Sequence, residues 1–194
     1  MIATLARTLA FSFSAGINLY ATVGVLGLAA RYDWVELPPQ FEVFNHDVVI
    51  WTALVLYAIE FLADKIPWVD SLWDTIHTVI RPLGGAIIAV ATFGEVSAPV
   101  EGLVAIVGAA LAATTHFTKA GTRAMANTSP EPFSNWVLSL GEDALVIGLA
   151  FVALRWPVAA LAVVAALLTL IVVFAAAILR GLRRRWRRGR GRSR

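Results

Sequence analysis

Glu60-Phe-Leu-Ala-Asp64-Lys65-Ile-Pro67-Trp-Val-Asp70-Ser-Leu-Trp-Asp74-Thr-Ile-His77-Thr-Val-Ile-Arg81 is the stretch on which the reading of this chain turns. It follows the apolar run Val48–Ile59 and leads through Pro82 into a second apolar run, Leu83–Phe93. Seven ionisable side chains therefore stand at or near membrane depth. Charge is expensive there and points to a bundle interior, a water-filled cavity or a functional pathway.

The surrounding composition is that of a polytopic membrane protein. Of 194 residues, 59% are hydrophobic and 15% charged, with a mean hydropathy of +0.75. A soluble domain carries roughly 25% charged residues. Several runs here approach the ~20 apolar residues needed to cross a hydrocarbon core. The formal charge of +3 hides two opposed regions. Nine of the sixteen basic residues lie in Arg180–Arg194, so the body carries seven Lys/Arg against thirteen Asp/Glu, or −6. The absence of cysteine excludes disulfides, thiol nucleophiles and Cys-ligated metals.

Outward from the central stretch, six segments are expected. The first, Ile2–Ala30, is too long for one untilted span and is interrupted at Ser14-Ala-Gly16-Ile-Asn18. Its length also argues against a cleaved leader. Arg31–Asp47, with Pro38-Pro39 and three aromatics, reads as an interfacial loop. The second span is about Val48–Ile66. Steps of four, three and four place Asp70, Asp74, His77 and Arg81 on one helical face. Asp70 and Asp74 are expected to face water on an interfacial helix. Pro82 predicts either a kinked helix or a half-helix. The fourth segment starts at Pro99 and continues helically to about Asn127. The fifth, Trp136–Leu154, carries Glu142 and Asp143, with Ser134 or Asn135 as its N-cap. The sixth, Pro157–Leu179, has no charge. Residues 1–179 thus form one transmembrane domain, followed by a basic tail, residues 180–194, expected to be disordered beyond Trp186.

Lys/Arg placement orients the chain. With both termini cytoplasmic, Lys65, Arg81, Lys119, Arg123 and the tail fall inside, and Arg31 and Arg155 outside. A weak repeat, Ala15-Gly16-x4-Ala21 against Ala120-Gly121-x4-Ala126, suggests halves 1–96 and 97–179 of inverted topology, as in many transporters.

Two constellations could carry chemistry. Glu60 with Asp64, and Glu142 with Asp143, read equally as a cation or proton site or as ion pairs that fix helix packing. His116, Lys119, Arg123 and Asn127, at steps of three, four and four, form a cationic stripe. It could pair with the acidic groups, or bind a phosphate or an anionic head group. Asn18 could line a cavity in a broken first segment. Asp70-x3-Asp74-x2-His77 has a spacing that metals use, but no established metal or nucleotide motif accompanies it. No metal and no cofactor is expected, and no nucleophile–base arrangement for an enzyme is legible. The arginine tail reads as a topology determinant on anionic lipid rather than a nucleic-acid binder.

Ser14-Ala-Gly-Ile-Asn-Leu-Tyr-Ala-Thr22, Phe61-Leu-Ala-Asp-Lys-Ile-Pro-Trp-Val-Asp70 and Asn127-Thr-Ser-Pro-Glu-Pro-Phe-Ser-Asn135 carry a resemblance. Over residues 5–180 the chain resembles a family of small bacterial integral membrane proteins described only as a domain of unknown function. The resemblance implies a bacterial inner-membrane protein and no particular activity.

The expectation is therefore an all-α bundle of about six membrane segments, some broken or re-entrant. The first functional expectation is a small permease, coupled to a cation or proton, for a small or anionic substrate. Six short segments enclose little volume, which suggests a homodimer. The alternatives are a protein that binds or flips an anionic or polyprenyl-phosphate lipid, and a non-transporting scaffold.

Overall fold

The computed structural model describes residues 1–128 and 133–190. Among them the chain forms seven α-helices and no strand: α1 (Ile2–Ile17), α2 (Leu19–Arg31), α3 (Asp47–Ala63), α4 (Pro67–Phe93), α5 (Ala98–Ala126), α6 (Phe133–Arg155) and α7 (Pro157–Arg190). A 3-10 turn, Pro39–Phe44, lies between α2 and α3. Four helices are long and apolar enough to cross a membrane: α4, α5, α6 and the Pro157–Gly181 part of α7. This is an all-helical membrane protein.

The interruption in the first segment is a single residue. Asn18 adopts an extended backbone (φ −146°, ψ 100°), gives its own N–H to Ser14 O and accepts the N–H of Ala21 on its side chain. One asparagine thus ends α1 and caps α2. The two helices do not continue in line. Thr8, near the start of α1, and Gln40, beyond the end of α2, both bond to Thr92 near the C-terminal end of α4. Phe11 of α1 also meets Phe41, with ring centroids 6.0 Å apart. α1 and α2 therefore form a hairpin with both open ends at one end of the bundle and Asn18 at its buried apex. With 16 residues, α1 is about 24 Å long, short of a ~30 Å hydrocarbon core.

This hairpin changes the path of the chain. Arg7 in α1 donates to Leu154 O at the end of α6, at 2.9 Å, and α7 starts beside that point and runs back along α6. Ile2 and Arg190 consequently lie at opposite ends of the bundle. About six crossings are expected; four of the described helices are long and apolar enough to cross. The second copy of the weak repeat, Ala120–Ala126, lies inside unbroken α5.

α4 continues through Pro82 as one 27-residue helix, which excludes the half-helix of the two expected outcomes. Its neighbours α1 and α5 hold it on both sides. Approach is close because the contact residues are small. A Cβ on Gly85 would lie 2.9 Å from Gly108 O, and one on Gly108 would lie 2.6 Å from Gly85 O. Small residues allow this kind of packing in lipid, where no hydrophobic force drives helices together. At the next loop, α6 starts at Phe133, so Ser134 and Asn135 lie within its first turn rather than capping it. Residues 129–132 lie outside the described residues. α7 remains helical to Arg190, beyond the expected limit at Trp186, in keeping with the good helix propensity of arginine. The expected disorder of residues 191–194 lies outside the described residues.

Candidate functional site

The polar face of α4 turns inward. Asp70 is 0% exposed, Asp74 6%, His77 1% and Arg81 0%. The expectation that Asp70 and Asp74 face water is overturned. In lipid, a polar stripe on an apolar helix is driven towards the bundle interior, where partners satisfy it. Those partners come from α5, which runs antiparallel to α4 and sets His116 beside Arg81 and Asn127 beside Asp70.

Glu60, in the last turn of α3, and Asp64, at its C-cap, complete the acidic side. Arg81 Nη2 lies 2.8 Å from Glu60 Oε1, and its Nη1 lies 3.1 Å from Asp74 Oδ1. Lys119 Nζ is 3.1 Å from Asp64 Oδ2 and 3.4 Å from both Glu60 Oε1 and Glu142 Oε2. Arg123 Nη2 is 2.6 Å from Glu142 Oε2 and 3.0 Å from Asp64 Oδ2, while its Nη1 donates to Asp64 O at 3.0 Å. The cationic stripe of α5 is thus engaged by carboxylates from three other helices.

The hairpin apex plugs into this network. Asn18 Nδ2 donates to Asp143 Oδ1 at 3.1 Å, and Lys119 Nζ donates to Ile17 O, a carbonyl freed by the break, at 3.3 Å. Both histidines of the bundle are fixed through both ring nitrogens. His116 Nδ1 accepts from Arg81 Nη1, so its Nε2–H donates to Thr78 Oγ1. His77 donates from Nδ1 to Trp73 O at 2.7 Å and pairs through Nε2 with the Tyr20 hydroxyl at 3.0 Å. His77 is turned away from Asp70 and Asp74, and among the described residues no three His, Asp or Glu side chains converge as a metal site.

The charges do not balance. Six carboxylates (Glu60, Asp64, Asp70, Asp74, Glu142, Asp143) face three permanent cations, Arg81, Lys119 and Arg123. Glu60 Oε2, Asp64 Oδ1, Asp70 Oδ1 and Asp143 Oδ2 are buried and find no hydrogen-bond donor among the described residues. A network that served only packing would lose stability by retaining such groups, since a buried unsatisfied acceptor costs about 1–3 kcal/mol. The surplus oxygens are suited to taking up protons or a small cation.

Two cavities border the network. One, of about 280 Å³, lies between α1, α5, α6 and α7; its walls are Phe13, Leu and Ile side chains with Thr115, Thr118 and Thr122 of α5, and Lys119 and Glu142 also line it. The other, of about 250 Å³, lies between α4 and α5.

Seven of the nine candidate residues, Glu60, Asp64, His116, Lys119, Arg123, Asn127 and Glu142, join one hydrogen-bonded and ion-paired system; the other two, Asn18 and Asp143, pair with each other and meet it where Lys119 bonds the neighbouring Ile17 carbonyl. Sequence reasoning left Arg81, Tyr20, Asn135 and Ser139 outside the site. Asn135 donates to Asn127 Oδ1, and Asn135 and Ser139 are both buried. A signal was available: Asn135, Ser139 and Asp143 recur at steps of four on α6 and define its polar face.

No curated protein and no solved structure matches the chain. A family model does, over residues 5–177, a span that takes in all or most of every helix and every residue of the network. The chain belongs to the family described as a domain of unknown function, DUF4126.

Proposed function

We propose that this protein is a small multi-pass permease driven by a proton or a small cation, with Glu60, Asp64, Lys119, Arg123, Glu142 and Asp143 as its coupling centre. One observation carries the reading: the apex of a hairpin that stops inside the bundle bonds the buried Asp143 through Asn18, and through the Ile17 carbonyl bonds Lys119 of a buried network with more acids than bases. Interrupted helices meeting at charged groups near the midplane are a recurrent architecture of transport sites. Neutralising Asp143 weakens its hold on Asn18 and frees the apex to move. Loading of the centre is thereby linked to opening.

In this reading the α1–α2 hairpin enters from outside, α3 to α7 cross the bacterial inner membrane, and the arginine end of α7 is cytoplasmic on anionic lipid. Lys65, Lys119 and Arg123 then lie towards the inside, and Arg31 and Arg155 outside, in agreement with the positive-inside rule.

The test is proton-coupled flux in proteoliposomes, read with an internal pH dye. Glu60→Gln combined with Glu142→Gln is expected to abolish it. Flux unchanged in that double variant would sink the proposal.

A second reading is favoured by the apolar cavity over Lys119 and Glu142, which suits a lipid chain with its head group near the network. Native mass spectrometry decides this one. Anionic lipid should be retained by the wild type and lost from Lys119→Ala; equal retention would count against it.

A further inference from the structure

The 250 Å³ cavity between α4 and α5 is walled by Asp70, Ser71, Asp74, Thr75, Thr78, Ala120, Arg123 and Ala124, and its chemistry is one-sided. Each hydroxyl has committed its single proton to a carbonyl one turn back. Ser71 donates to Pro67 O at 3.0 Å, Thr75 to Ser71 O at 2.8 Å and Thr78 to Asp74 O at 3.1 Å. Ser71 also accepts from Asn127 Nδ2 and Thr78 from His116 Nε2, each at 3.1 Å, so what these residues offer a ligand is their remaining oxygen lone pairs.

Asp70 adds to them. It is fully buried, its Oδ2 accepts from Asn127, and its Oδ1 finds no donor among the described residues. Arg123 stands 3.7 Å from that oxygen but directs its N–H groups to Asp64, Glu142 and Asn135 O. The wall thus holds acceptors and negative charge, with its one cation engaged elsewhere. Ala120 and Ala124 leave the space open on the α5 side. At about 250 Å³ the cavity is several times the ~30 Å³ share of one water, too roomy for a bare ion held by direct contacts.

We infer that this cavity is a binding site for a small protonated amine, held by the Asp70 and Asp74 carboxylates and the Ser71, Thr75 and Thr78 oxygens. A compact ammonium group supplies positive charge, an N–H donor for Asp70 Oδ1, which has none, and further donors for the lone pairs still free on the hydroxyl oxygens. The inference goes beyond the permease reading by naming a class of ligand. It rests on that reading only for what happens to the ligand after binding.

The experiment is calorimetric titration of the full-length protein in detergent with methylammonium, tetramethylammonium and sodium chlorides at one ionic strength. Methylammonium is expected to bind, and tetramethylammonium, which has the charge without the donors, to bind about tenfold more weakly or not at all. Asp70→Asn should weaken methylammonium about tenfold. Ala124→Leu, an exposed position whose change fills the cavity and leaves every charge in place, should weaken it comparably and guards against a misfolded Asp70 variant. Equal binding of both ammonium ions, sodium binding without methylammonium, or methylammonium binding unchanged in Ala124→Leu would each overturn the inference. Methylammonium binding without proton-coupled flux would uphold the site while the permease reading fails.

Discussion

Asn18 and Asp143 stand 125 positions apart in the chain and meet at 3.1 Å, Nδ2 to Oδ1, in the interior of the bundle. The same asparagine ends one helix and starts the next, so the contact joins a backbone decision to a charged network. Helix breaking and site construction are here a single act.

That double role can be separated by substitution. Asn18→Ala removes the cap of α2, worth about 1 kcal/mol, and leaves Asp143 without its donor, worth about a further 1–3 kcal/mol. Asn18→Asp keeps a capping oxygen but sets a second carboxylate against Asp143. Both should lower the melting temperature in detergent. The aspartate variant should recover at low pH and the alanine variant should not, and identical pH behaviour would show that the Asp143 contact is idle.

The pair of Arg81 with Glu60 is fully buried on both sides. Arg81→Met should destabilise the protein by about 3–5 kcal/mol, because it leaves Glu60 and Asp74 charged and poorly paired. Adding Glu60→Gln should return part of that loss. A double-mutant cycle in chemical denaturation measures the coupling, and simple additivity would mean the two residues act independently.

Helix contact at Gly85 and Gly108 has no room for a side chain. Gly85→Leu should prevent normal packing of α4 on α5, at a cost of about 1–3 kcal/mol or more, seen as loss of the monodisperse peak in gel filtration. Gly148, where an added Cβ would meet nothing within 4 Å, is the control. Gly148→Ala should be neutral or stabilise by up to about 1 kcal/mol.

The hairpin predicts sidedness. The chain has no cysteine, so single cysteines can be introduced without a prior background. Ala3→Cys, Asp33→Cys and Glu95→Cys should react with a membrane-impermeant maleimide from one face of the membrane, and Thr128→Cys only from the other. Ala3 labelled with Thr128 would restore an even number of crossings and remove the hairpin.

The sequence made the inventory legible but not its direction. Steps of four and three identified the stripes Asp70–Arg81 and His116–Asn127 because helical period depends only on backbone geometry. Which way a stripe points depends on what lies across from it, and for Asp70 and Asp74 the partner is Asn127 and Arg81 rather than water. Asn18 could be recognised as an interruption, since polar and small residues broke an apolar run. Whether the chain then continued or doubled back was set by Thr92, more than seventy residues away, which holds both Thr8 and Gln40. No local pattern contains that information.

Burial of α1 has a consequence for biogenesis. From Ala10 to Ile17 every residue is buried, and the helix packs against α4, α5, α6 and α7. It therefore presents little apolar face to lipid, and its partners are all made after it. Arg7 must wait for Leu154, 147 positions downstream. Because such distant contacts form late, α1 is completed only after the helices that follow it in the bundle. Until α6 is in place, the membrane insertion machinery has to shelter a segment that the bilayer alone does not hold.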